Sequence, residues 1–337
     1  MDGLGSRFER FLAFAEPGRD GRVVACEAIT GGYSRMTARA RVRWDGGREQ
    51  SFILRGDPPP GHGVFTSDRD AEWELLAALP GATSVSTPVA RWYDGSGQYL
   101  GSKAIVMDCA AAGSLQDEMA RAGSGTGVLT DLFVDTFAAV HRTPLDRLPA
   151  RMPRPPDGSA YLDGVLTDYD RMAQRYPGSA PVLRYISWWA RAHKPPPVPL
   201  GLVHGDCQPS NVLVGPAGPP MVIDWEFAHI GDPREDLGYY TQIPLQPNVY
   251  WADPERFLRR YRAATGLTQE QVNPHVVDYF LMIGMANLLG QLLAAAAAIG
   301  ASTPAGSADR SGILAPFLIN AISHQHDMFL AICDRLS

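Results

Sequence analysis

His204-Gly205-Asp206-Cys207-Gln208-Pro209-Ser210-Asn211 is followed, across two short apolar runs, by Ile223-Asp224-Trp225-Glu226. The runs Val212–Val214 and Met221–Ile223, separated by a Gly/Pro turn, read as a hairpin. Two carboxylates and one carboxamide therefore flank a hairpin on tight loops. Taken singly, each of these residues reads as an ordinary polar turn, because Asp, Asn, Gly and Pro all suit turn backbones.

Taken together they match the needs of phosphoryl transfer. That reaction requires a carboxylate to position and deprotonate an acceptor hydroxyl, and hard oxygen ligands to hold magnesium against nucleotide phosphates. Asp206 suits the first role. Asn211 and Asp224, at the end of the loop and the end of the next strand, suit the second, since both could converge on one metal.

The segment resembles the aminoglycoside phosphotransferase and choline kinase-like family, whose signature is an H-G-D-x-x-x-x-N loop followed by I-D-W or I-D-F. Its continuation, Glu226-Phe227-Ala228-His229-Ile230-Gly231-Asp232-Pro233-Arg234-Glu235-Asp236-Leu237, is similar to the branch of kinase-like domains associated with acyl-CoA dehydrogenases. Agreement in spacing and residue type from Leu202 to Leu237 makes the likeness more specific than a lone catalytic motif. The resemblance implies an α+β, two-lobed protein-kinase-like fold, with a small antiparallel-sheet lobe over residues 1–110 and a larger, mainly helical lobe over residues 111–337. It further implies that Asp236 braces the catalytic loop by accepting hydrogen bonds from its backbone.

The chain is 337 residues long, more than one core usually spans, so two units are expected. A hydrophobic fraction of 45% with 20% charged residues is that of a soluble globular protein. Cys26, Cys109, Cys207 and Cys333 form no C-x-x-C pair, which argues against a zinc site or a disulfide framework. A reduced, cytoplasmic setting fits that usage. The net charge of −6 offers no basic footprint for nucleic acid. Arg7, Glu9 and Arg10 interrupt the N-terminal apolar residues, so Met1–Glu16 reads as an amphipathic helix and not a signal peptide. Tyr279–Ile299 is apolar enough to be mistaken for a membrane span. Asn287 and Gln291 within it favour a buried helix, and no membrane partner is expected.

The resemblance assigns further roles. Strands over Arg22–Ile29 and Met36–Asp45 enclose Thr30-Gly31-Gly32-Tyr33-Ser34, a turn that lets backbone N–H groups approach phosphates and places Gly32, Tyr33 and Ser34 against the nucleotide. A glycine pair there is otherwise an ordinary hairpin turn. The third strand, Gln50–Arg55, carries Arg55 where many relatives carry lysine. Its fork can bind phosphate with a geometry unlike that of lysine, or it can be a solvated strand-end residue. The helix Asp68–Leu79 offers Glu72 as its partner, with Glu74 as the alternative; Ala71 stands where the family pattern has arginine. Ala104–Asp108 reads as the strand leading to the hinge, where Met107 lines the base pocket and the main chain of Asp108 and Ala110 reads adenine. Main-chain reading leaves GTP open beside ATP.

Helices are expected over Val128–His141, Tyr161–Tyr176, Val182–His193, Pro254–Thr265, Pro274–Ile299 and Ile313–Leu336. His141, at a helix end, reads as capping or packing, and Tyr185, Trp188 and Trp189 as pocket aromatics or core. The implied reaction is magnesium-dependent phosphorylation of a small-molecule hydroxyl by ATP. An antibiotic-resistance kinase and a nucleotide-binding regulator that has lost transfer are the alternatives, the Arg55 change favouring the latter and an intact Asp206, Asn211 and Asp224 opposing it. Ala150–Val203 holds 4 acidic and 7 basic residues, and Thr241–Ser337 holds 7 and 6. The segments expected to line the acceptor site thus lack the acidity a polycation needs, which points to a neutral or anionic acceptor. Oligomeric state leaves no trace in the sequence.

Overall fold

The computed structural model describes residues 3–29, 36–57, 68–123, 126–215, 218–243, 248–302 and residue 332. Gly32, Tyr33, Ser34 and the helix expected over Ile313–Leu336 lie outside the described residues, Ile332 excepted. The chain divides into two compact units, Met1–Pro80 with Thr87–Ala111, and Gly81–Ser86 with Ala112–Ser337.

In the first unit, α1 (Leu4–Ala15) precedes β1 (Gly21–Ala28), β2 (Met36–Trp44), β3 (Glu49–Gly56), α2 (Arg69–Ala82), β4 (Ala90–Asp94) and β5 (Ala104–Asp108). The strands form one antiparallel sheet in the order β1-β2-β3-β5-β4. Alternation fixes its inner face: Ala38, Ala40, Val42 and Trp44 point inward, while Arg39, Arg41 and Arg43 point the other way. Leu4, Phe8, Phe11 and Leu12, spaced along one face of α1, pack against that inner face with Phe52, Leu54 and Val106. The register pairs Arg55 with Thr37 on one side and Ile105 on the other, which places its guanidinium at the end of a central strand. β4 escapes sequence reading because it is five residues long and bounded by a Gly-Ser-Gly turn. That turn is organised by the buried Asp94 carboxylate, which accepts from the backbone N–H of Gly97, Tyr99 and Leu100.

The second unit contains β6 (Gly113–Ser114), α3 (Leu115–Ala122), α4 (Gly127–His141), α5 (Gly158–Arg175), α6 (Ala180–Ala192), β7 (Gly201–Val203), β8 (Val212–Val214), β9 (Met221–Val222), β10 (His229–Gly231), α7 (Arg234–Gln242), α8 (Val249–Ala252), α9 (Pro254–Thr265) and α10 (Pro274–Ser302). The expected hairpin is β8–β9, extended by β6, and a second antiparallel pair joins β7 to β10. Gly81–Ser86 belongs here because Ser86 accepts from Val222 N at 2.9 Å and Arg147 donates to Gly81 O at 2.9 Å. Leu162, Leu166, Tyr169, Leu183, Ile186, Trp189 and residues of α10 from Val276 to Ala286 form the main core. The stretch Pro274–Ala294 is long and apolar enough to cross a membrane, and most of it is buried within this core. Trp189 is accordingly a core residue, while Trp188 faces outward.

A buried ion pair sets the entry into α7. Arg234 donates through Nε and Nη2 to Asp232 at 2.9 and 2.7 Å, and its Nη1 reaches the carbonyls of Pro196 and Gln271. Its guanidinium also lies 5.0 Å from the Phe280 ring. Arg234→Met leaves Asp232 as an uncompensated buried charge. The expected loss is about 3 kcal/mol or more of unfolding free energy, read from denaturant titration; a loss below about 1 kcal/mol would contradict this role for the pair.

Candidate active site

The loop between β7 and β8 is held from behind. Asp236, on α7 and fully buried, accepts from the backbone N–H of His204 at 2.8 Å through Oδ2 and of Gly205 at 2.9 Å through Oδ1. His141, at the end of α4, reaches Asp236 Oδ2 through Nε2 at 2.9 Å and is fixed by Tyr261 at its other nitrogen. Burial alone would raise the Asp236 pKa, but the hydrogen bond and charge interaction with His141 and the hydrogen bond from the His204 backbone N–H hold it below the usual carboxylate value. His141, which reads from sequence as a capping residue, is thus part of the brace.

His204 links the two loops that matter. Its Nε2–H donates to Ile223 O at 2.9 Å and its Nδ1 accepts from Asp206 N at 3.3 Å, so the residue before Asp224 and the residue after Gly205 are tied to one ring. Phe137 and Trp225 pack edge-on against that ring. Gly205 has φ +81, and a Cβ there would lie 2.6 Å from Phe227 O, so the loop closes only with glycine.

Asp206 is half-buried, and both of its oxygens are engaged. Gln208 Nε2 and the Tyr239 hydroxyl donate to Oδ1 at 2.7 and 2.6 Å, and Asn211 Nδ2 donates to Oδ2 at 2.6 Å. Burial, and then the nearby charge of Asp224, raise its pKa, while the bonds from Tyr239 and Asn211 pull the other way. Tyr239 remains a protonated donor, because burial and the adjacent Asp206 push its pKa well above the ordinary value. Neither Gln208 nor Tyr239 was singled out by sequence reading. Tyr239 follows Asp236 by three residues, the helical spacing that places both on the loop-facing side of α7.

Asp224 adopts φ 70, the one left-handed non-glycine conformation among the described residues. Such a backbone stores strain and is retained where surrounding structure requires it. Asn211 spends its amide nitrogen on Asp206, leaving the carbonyl oxygen as its ligand end. Asp224 and Asn211 therefore offer hard oxygen donors, a set that suits magnesium completed by phosphates and water. No group of three or more His, Cys, Asp or Glu side chains suited to a metal occurs among the described residues.

The first unit supplies a separate cluster. Arg55 and Glu72 are both buried, with Arg55 Nη1 3.8 Å from Glu72 Oε1. Glu72 is bound more tightly by Arg69, which is fully buried and also meets Asp57 at 3.2 Å. Glu74 lies on the exposed face of α2. Met107 is buried in β5; the Asp108 carboxylate is taken by Arg91 at 2.5 and 2.8 Å and by Gln50, and the Ala110 carbonyl meets Cys109 Sγ at 3.8 Å.

The sequence matches the model of the phosphotransferase enzyme family over residues 26–277. The chain belongs to that family. The phosphotransferase is also similar in structure to a Ralstonia eutropha protein assigned as an aminoglycoside phosphotransferase, at 18% identity and TM-score 0.63, with 96% of this chain and 98% of that one covered. A macrolide 2′-phosphotransferase of Brachybacterium faecium matches at 18% identity and TM-score 0.62, covering 89% and 96% of the two chains. Aminoglycoside 2′-phosphotransferase-IIIa, solved with GDP, matches at 17% identity and TM-score 0.59 over the same shares. At these identities the likeness shows the kinase-like fold. No curated protein matches the sequence.

Two outcomes follow from the geometry of the phosphotransferase. Asp224→Gly removes a strained side chain and a like charge beside Asp206, so unfolding free energy should rise by about 1 kcal/mol; a lower denaturation midpoint would contradict strain at this residue. Asp236→Asn should lower stability by about 2 kcal/mol, since the new amide nitrogen faces a backbone N–H donor. The folded pKa of Asp236 lies below its unfolded value, so the wild-type contribution is present above the unfolded value and is lost as pH falls through the folded one. The stability gap between wild type and Asp236→Asn should therefore shrink at acid pH. A gap independent of pH would remove the charge from the explanation.

Proposed function

We propose that this phosphotransferase transfers the γ-phosphoryl group of ATP, with magnesium, to a hydroxyl of a small molecule. The observation that carries the reading is the Asp206 carboxylate, oriented by Gln208, Tyr239 and Asn211 on a loop braced by Asp236. The acceptor oxygen attacks the γ-phosphorus, its proton passes to Asp206, and the bond to the leaving ADP breaks. Magnesium, when bound, neutralises charge on the phosphates, and Asn211 and Asp224 are the residues that would hold it. The GDP complex of a structural neighbour supports a nucleotide in this fold.

Residues 1–110 form the nucleotide-binding lobe in this reading, and residues 111–337 the catalytic and acceptor-binding lobe. Arg55, oriented by Glu72, takes phosphate oxygens, and Gly32, Tyr33 and Ser34 take the same role through backbone N–H groups. Met107, Asp108 and Ala110 hold the base. Thiols at Cys26, Cys109 and Cys207 suit a reduced cytoplasmic setting. Three donors keep the geometry of the Asp206 carboxylate fixed for that role.

Asp206→Asn preserves volume and removes the proton acceptor. With an acceptor identified from a panel of hydroxylated metabolites and antibiotics, turnover should fall about 100-fold or more with nucleotide affinity near wild type. Equal turnover in the variant would overturn the assignment.

A further inference from the structure

Gln242 ends α7 one turn beyond Tyr239, the residue whose hydroxyl donates to Asp206. Three helical residues advance about 4.5 Å, so the Gln242 amide lies within a small molecule's length of the catalytic carboxylate. It is only 6% exposed, yet neither its Oε1 nor its Nε2 has a hydrogen-bond partner among the described residues. Buried carboxamides with both ends unmet are uncommon in native proteins and call for a ligand, a water or a functional reason.

The stretch of α10 that faces this amide carries no charge. α7 crosses α10 closely at Gly238, where a Cβ would lie 2.3 Å from Phe280 C. One turn further on, Gln242 stands over Gly284, where a Cβ would lie 3.2 Å from Nε2, so α10 presents no side chain to pair with it. From Gly284 the same face of α10 continues through Asn287, Leu288 and Gln291, all partly accessible. Asn287 Oδ1 accepts from Tyr169 at 2.9 Å, which leaves its Nδ2 as the donor end. Between Tyr279 and Ser302 the helix carries no charged residue.

We propose that Gln242, with Asn287 and Gln291, forms a carboxamide subsite that receives hydroxyl groups of the acceptor, and that the acceptor is an uncharged polyhydroxylated compound. This rests on the phosphotransfer reading above and names its substrate class. A carboxamide offers one donor group and one acceptor, the complement of a hydroxyl, which also donates and accepts. An ammonium would need a carboxylate, and a carboxylate ligand would need a cation, and the described residues of this face of α10 supply neither.

Binding of myo-inositol and glucose as neutral probes, kanamycin as a polycation and glycerate as an anion can be measured on the full chain by saturation-transfer NMR, without turnover. A neutral probe should bind, and Gln242→Leu should weaken it about fivefold to tenfold, the loss of one hydrogen bond between neutral groups. For a neutral acceptor that is turned over, KM should rise by a similar factor with the nucleotide KM unchanged. Asn287→Leu, on the partly accessible part of the face, should act in the same direction and serves where Gln242→Leu fails to fold. If no neutral probe binds, or only kanamycin or glycerate binds, the subsite is wrong. It is equally wrong if Gln242→Leu only raises the melting temperature, the outcome expected of an amide that is merely buried. Neutral-probe binding sensitive to Gln242, with no phosphorylation of any acceptor, would instead uphold the subsite and count against the phosphotransfer reading.

Discussion

The buried carboxylate of Asp236 is the contact on which the catalytic segment depends. A charge without water must be matched on every side, and here two backbone N–H groups and one imidazole do so. Because the donors are the amides of His204 and Gly205, satisfying Asp236 fixes the backbone immediately before Asp206. His204 then carries that constraint across to Ile223, the neighbour of Asp224. One buried anion thus positions two loops through main-chain atoms.

That arrangement is needed because the functional groups oppose one another. Asp206 and Asp224 bear like charges close enough for one to raise the pKa of the other, and Asp224 sits in a left-handed backbone. Left to itself such a site would relax by separating the carboxylates. The donors Gln208, Tyr239 and Asn211 and the brace behind the loop prevent this. A site whose donors are fixed in advance has less to reorganise when charge develops beside it.

What was legible in the sequence follows from distance along the chain. Asp206, Asn211 and Asp224 lie on or beside one hairpin, so their spacing alone places them together; α1, α4 and α9 reveal themselves by apolar periodicity, and α10 by its long apolar run. Tyr239 and Gln242 belong to a different element, and only the packing of α7 against the loop and against α10 gives them meaning. β7 and β10 are three residues each and pair across a long interval, so no local pattern marks them. Gly32, Tyr33 and Ser34 lie outside the described residues, and the phosphate turn rests on sequence alone.

Arg69 shows how a family pattern can mislead when read residue by residue. The pattern places arginine directly before the glutamate, where this chain has Ala71. In the structure the cation has moved back to Arg69, where its guanidinium still reaches the Glu72 carboxylate along the helix. It reaches Asp57 as well, so Glu72 is anchored to its own helix and to the end of β3 more firmly than it is to Arg55. A carboxylate held by a fully buried guanidinium on its own helix has little freedom to turn, so the position of Glu72 is set by Arg69.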